Sequence, residues 1–298
     1  MYLLLGVFCG LMTANTALTK VFQKKTPSDF FHLIMYNIIN ALFACAFFAV
    51  SAGFRISLNT PTVIYSVVYA IIICVNLSAQ IFAFSKAPVS VVTLMSMAGG
   101  VLLPSMFGIV WFNEPLTLRL IVSSILIIIA AFLPFAGKAG EKKRFTLAAV
   151  LTCILMFVLS GLSVILIKLY AVDTTVCDST SMFFLTNVAI VFVCIAALSM
   201  FILKSGEMQS SEAFPKIFRA FTIGQTLLIV SKAALANLSS LVQVVILAEM
   251  SASTFSVLNS SLTLIGASAV SAFIFREKQG IGTIFAVIFA IAAIVVNP

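Results

Sequence analysis

Charge is scarce in this chain: Asp, Glu, Lys and Arg make up 9% of its 298 residues, against 62% hydrophobic. So few charges cannot cover the surface of a water-dissolved globule of this length, so lipid is the expected solvent. Histidine is represented by His32 alone and tryptophan by Trp111 alone. No HExxH, no paired intramembrane aspartates and no Ser/His arrangement at membrane depth occurs, so an enzyme would lack its usual groups. The six cysteines form no CxxC and no Cys/His pairing, and five lie inside apolar runs, which suits small core residues better than disulfides or metal ligands. Neither a metal nor a cofactor is expected, and no nucleotide-binding loop is present. Rings of like charge and a repeated filter sequence, the marks of a channel, are also missing. The segment Tyr2–Phe22 has no basic n-region and no small-residue cleavage site, so no cleavable signal is expected. The net charge of +8 does not point to nucleic acid, because a chain this apolar is expected in lipid and most of its basic residues sit between apolar runs.

What remains is a series of ten apolar runs: Tyr2–Phe22, Asp29–Ala52, Thr62–Ser85, Val89–Phe112, Leu116–Ala136, Phe145–Ala171, Ser179–Leu203, Ala220–Ala248, Ser251–Phe275 and Gly280–Val296. Short breaks rich in Pro, Gly and charge separate them. About 20 apolar residues suffice to cross a bilayer. Runs this long and continuous are unlike barrel strands, so the expected fold is an all-α membrane protein of ten transmembrane helices.

The halves look like copies. A shift of 163 residues places Gln80 on Gln243, Ser90 on Ser253, Phe112 on Phe275 and Glu114 on Glu277. A shift of 148 places Lys20 on Lys168, and one of 150 places Asn37 on Asn187. The division read from this is a first five-helix repeat over 1–137, a basic linker over 138–144 and a second five-helix repeat over 145–298. An odd number of spans inverts the second copy, an architecture of secondary transporters with the site near the midplane.

Each half closes with a glutamate before an apolar final helix, VWFNEPLTLRLIVSSILIIIAAFL and FIFREKQGIGTIFAVIFAIAAIVV. On these features the chain resembles the drug/metabolite transporter superfamily, in particular its EamA-type members. The chain departs from that pattern in its prolines: Pro104 lies ten residues before Glu114, and the ninth run has none. The resemblance implies a carrier of metabolites such as amino acids, organic acids or nucleotide precursors, with both chain ends inside. Counting basic residues gives the opposite orientation. Thirteen Lys and Arg fall on the side of the first loop and three, Arg55, Arg119 and Lys168, on the other; Lys232 completes the 17. The positive-inside rule then puts both termini outside.

Lys232 is read as the only ionisable residue clearly at mid-membrane, since every acid maps to a helix end or loop. A central lysine costs about 2.5–3.5 kcal/mol on insertion scales and normally faces a bundle interior or wet cavity. Snorkelling to a headgroup is the alternative. With no carboxylate at the same depth, the expectation is a carboxylate- or phosphate-bearing solute. Neutral polar residues complete the candidate substrate-binding set: Asn15, Tyr36, Asn37, Gln80, Asn187, Gln243 and Asn259. Each can equally be an interhelical tie worth about 0.6 kcal/mol. The small stripe Ser96, Gly100, Pro104 and Gly108, and the series Gly6, Gly10 and Ala14, are expected to serve close helix packing. Glu114 and Glu277 are expected to sit on the positive ends of the helices they precede. The function expected is a secondary transporter of a small metabolite, anionic or zwitterionic, working by alternating access. The alternatives are a passive channel or a structural membrane protein, with an enzyme last. The expected setting is a multi-pass protein of the plasma (inner) membrane, monomer or homodimer, with lipid and a small metabolite as partners.

Overall fold

The computed structural model describes residues 2–25, 30–86, 89–115, 117–136, 147–205, 221–274, 276 and 281–296. Among them the chain forms ten helices: α1 (Tyr2–Lys25), α2 (Phe30–Ser51), α3 (Thr60–Lys86), α4 (Val89–Trp111), α5 (Leu118–Ala136), α6 (Leu147–Val172), α7 (Ser179–Ser205), α8 (Ile223–Glu249), α9 (Ala252–Ala269) and α10 (Ile281–Val296). A π-helical turn, Val270–Ile274, continues α9. Each helix falls on one of the ten apolar runs, because a helix satisfies its own backbone without water.

Short polar caps mark several starts. The Asn59 carboxamide oxygen accepts from the Thr62 amide at 2.9 Å, and Thr117 and Asp178 cap α5 and α7 in the same way. Before α8, Thr222 and Gln225 bond reciprocally as a capping box. The residues with positive φ outside glycine are Phe54, Asn113 and Arg276, which end α2, α4 and the π turn. Asn113 and Arg276 stand 163 residues apart, each directly before a glutamate of the sequence.

Four helices contain stretches long and apolar enough to cross a membrane: Ile34–Ser51, Val150–Val172, Ser179–Met200 and Ile223–Glu249. Large apolar side chains stand outward, with Leu3, Ile223 and Phe273 each 83% exposed. Apolar surface of this extent belongs against hydrocarbon, and the chain is a helical, membrane-embedded protein.

Two compact units are formed. The first comprises Met1–Thr13, Ile72–Asp173 and Val242–Pro298; the second comprises Ala14–Ile71 and Thr174–Leu241. Each unit draws segments from both halves of the sequence.

In the first unit α4 packs closely on α6 and α5 on α10. A side chain at Gly161 would strike Leu103 and the Gly99 carbonyl, and one at Gly99 would enter the Phe157 carbonyl. Ser160 Oγ adds a 2.8 Å bond to the Ser96 carbonyl across the same pair. Close approach thus runs through Gly99, whereas Gly100 faces open space. α4 continues unbroken through Pro104. A core of Val101, Leu120, Ile127, Ala130, Val257, Ala286 and Ala290 joins α4, α5, α9 and α10. The expected packing role of Gly6, Gly10 and Ala14 is not met: nothing approaches either glycine within 4 Å, and this face of α1 is exposed.

In the second unit α2 packs along α7 through Ile34, Met35, Cys194 and Leu198. The loop before α3 is stitched to the start of α7. Asn59 donates to the Thr175 carbonyl at 2.7 Å, the Cys177 amide to Thr62 Oγ1 at 2.8 Å, and the Ser57 amide to Ser181 Oγ at 3.0 Å. None of the six cysteines is in a disulfide.

Candidate functional site

Lys232 is the tenth of the 27 residues of α8. At 1.5 Å per residue it stands about 14 Å from the start of the helix, roughly half the thickness of a bilayer core. Mid-helix carbonyls are engaged by the helix ladder, and the partner of the ammonium is a side chain, Tyr36 of α2. Lys232 Nζ donates to the Tyr36 hydroxyl at 2.9 Å and lies 4.8 Å from the centroid of the same ring. Lys232 is buried, 8% exposed, so it does not snorkel outward. Among the described residues no carboxylate forms an ion pair with it.

An aromatic chain extends from this pair within the second unit. Tyr36 packs on Phe22 at 5.3 Å between centroids, Phe22 on Phe221 at 5.9 Å, and Phe221 on His32 at 5.8 Å. A charged hydrogen bond contributes about 1.5–3 kcal/mol and a desolvated cation–π contact about 2. These terms match the insertion cost of the lysine, so the site is tolerated as it stands. They leave its positive charge uncancelled.

The other expected site residues are divided between the two units. Asn15, Asn37 and Asn187 belong to the second unit, with Lys232 and Tyr36; Gln80, Gln243 and Asn259 belong to the first. Asn37 is half-buried and directly follows Tyr36 on α2, and Asn15 is half-buried on α1. Asn187 spends one amide hydrogen on the Phe183 carbonyl of its own helix at 2.8 Å. Asn259 accepts from Thr263 one turn on at 3.2 Å. Gln243 is half-buried on α8. The side chain of Gln80 lies outside the described residues, as does Glu277. Of the eight, Lys232 and Tyr36 are therefore the pair seen in direct contact. The small apolar cavity lined by Met97, Ala98, Val101, Ile127, Ile128 and Ser260 contains none of them.

The first unit holds a second buried lysine and corrects one expectation. Lys168, four residues before the end of α6, is 7% exposed. Its Nζ donates to the carbonyls of Leu247 at 2.6 Å and Met250 at 2.8 Å, at the end of α8, and lies 5.6 Å from the Phe112 ring centroid. Glu114 does not serve the helix it precedes, which Thr117 caps instead. Its carboxylate accepts from the amides of Ala252 at 2.8 Å and Ser253 at 3.3 Å, and from the Ser253 hydroxyl, at the start of α9. The positive end of a helix does hold Glu114, but that helix belongs to the other half of the sequence. Lys168 and Glu114 thus hold residues two apart, the Met250 carbonyl and the Ala252 amide. The 163-residue shift relates Glu114 to Glu277 and Ser253 to Ser90, and pairs neither with the other.

No family model matches the chain, and no curated protein matches it. Among solved structures it is similar to one described only as a crystal structure of a protein, with a TM-score of 0.71 at 12% identity over 99% of this chain and 94% of that one. At that identity the likeness shows a shared fold alone.

Proposed function

We propose that this protein is a secondary transporter of the EamA type, in the drug/metabolite transporter superfamily, with ten spans arranged as two inverted five-helix repeats. It moves a small organic metabolite bearing a carboxylate or phosphate, anionic or zwitterionic overall, by alternating access. It works as a multi-pass protein of the plasma membrane, as a monomer or homodimer, and catalyses no covalent chemistry. The observation that carries the reading is the buried Lys232 ammonium, the tenth residue of α8, bonded to a neutral hydroxyl. An ammonium offers three donors, of which Tyr36 takes one, so an anionic solute supplies both acceptors and the missing charge. The recurrence of left-handed residues at Asn113 and Arg276, each before a glutamate, supports the repeat.

The test is counterflow in liposomes with labelled amino acids and organic acids, comparing the parent with Lys232→Gln. At least a tenfold loss of uptake for negatively charged solutes is expected, since one charged contact is removed. Unchanged uptake of those solutes would overturn the reading.

A second reading has its own support. The contact with Tyr36 and the packed rings behind it are sufficient to hold Lys232 as an internal tie in a structural bundle or passive pore. In that case Lys232→Gln changes thermal stability and leaves any solute flux untouched.

A further inference from the structure

The corner between α8 and α9 consists of Met250 and Ser251. Two buried or half-buried charges grip it from opposite directions. Lys168 holds the carbonyl end of α8, and Glu114 holds the amide end of α9. Each charge lies on the helix end of opposite polarity, so the arrangement is favourable as seen. Gly108 makes room for the carboxylate: an added Cβ there would lie 2.7 Å from its carboxyl carbon.

What distinguishes this corner from an ordinary pair of caps is the choice of partners. Both charges are spent on neutral backbone and hydroxyl groups while gripping residues only two apart in the chain, Met250 and Ala252. If the corner moved away from isolated charges, each would be stranded in a low-dielectric interior, which is strongly unfavourable. Here the two can neutralise one another instead. We propose that Glu114 and Lys168 form a partner-exchanging clasp: each grips the α8–α9 corner in the closed state, and they pair with each other when the corner swings away. Under the transport reading, on which this rests, the clasp is a gate at the end of the helix that carries Lys232.

The clasp makes a prediction opposite in sign to that of simple capping. Glu114→Gln keeps an acceptor for the Ala252 amide, which bonds to a different carboxylate oxygen from Ser253, and Lys168→Gln keeps a donor for the carbonyls. Each single variant strands the remaining charge in the open state alone, so opening becomes harder. The double variant strands neither. Hydrogen exchange of the peptide covering Met250–Ser256 reads this in the full chain, in lipid nanodiscs, with thermal unfolding as a check on folding. Exchange of the Ala252 amide is expected to slow about tenfold in each single variant and to return to within about threefold of the parent in the double. Exchange equal to or faster than the parent in the single variants overturns the clasp, as does a double variant showing the summed single effects. If either single variant fails to fold, the other carries the same test. Solute counterflow of the parent is measured separately. Absent counterflow with slowed exchange sinks the transport reading and keeps the clasp; counterflow with faster exchange sinks the clasp and keeps transport.

Discussion

Two lysines are buried to nearly the same degree, Lys168 at 7% and Lys232 at 8% exposure, yet they solve the same problem differently. Lys168 projects to the end of α8, where the last carbonyls have no partner in the helix ladder. Two of its three donors are met by backbone carbonyls. Lys232 stands within a helix, where no such carbonyls remain, and it meets a single hydroxyl and the face of the ring bearing it. A buried charge at a helix terminus thus has a sufficient structural reason. One at mid-helix carries an unfilled demand for negative charge, which makes Lys232 the better candidate for contact with a solute.

The comparison is sharpest in the stability of apolar replacements. Lys168→Met strands two carbonyls at the end of α8, so a loss of about 2–6 kcal/mol, 1–3 for each, is expected in reversible unfolding from mixed micelles. A loss under 1 kcal/mol would erase the distinction between the two sites. Gly108→Ala pushes a methyl group into the Glu114 carboxylate and should cost about 1–3 kcal/mol by overpacking, whereas Gly100→Ala, facing open space, should be neutral or slightly stabilising. Tyr36→Phe removes the hydroxyl acceptor but keeps the ring, for a loss of about 1 kcal/mol read as a small drop in melting temperature. The smallest effect belongs to Lys232→Met, expected within about 1 kcal/mol of the parent in either direction, because a costly buried charge leaves together with its tie. If Lys232→Met instead destabilises as much as Lys168→Met, Lys232 is a structural tie and the case for a solute anchor falls.

Azimuth, the direction in which a helix turns each face, is where reading along the chain failed. Ser96, Gly100, Pro104 and Gly108 form a regular series, but the residue pressed against α6 is Gly99. The series Gly6, Gly10 and Ala14 has the spacing of a packing face and turns outward. Periodicity names a stripe without naming the neighbour it meets, and small residues suit several neighbours equally. Lys232 was legible because a charge within a long apolar run contradicts its surroundings. Lys168 was not, since four residues from a helix end it reads like any interfacial lysine.

The amino-acid order by itself determined the ten helices and nearly all their limits, because an apolar segment in lipid must satisfy its backbone locally and polar residues stop it. It also determined that Lys232 would need company. Tertiary structure alone decided who provides it: Tyr36 for Lys232, the end of α8 for Lys168, and the start of α9 for Glu114. Those choices join residues 79 to 196 positions apart, or across the two halves of the chain, and they depend on how rigid helices rotate and meet, which no local pattern encodes.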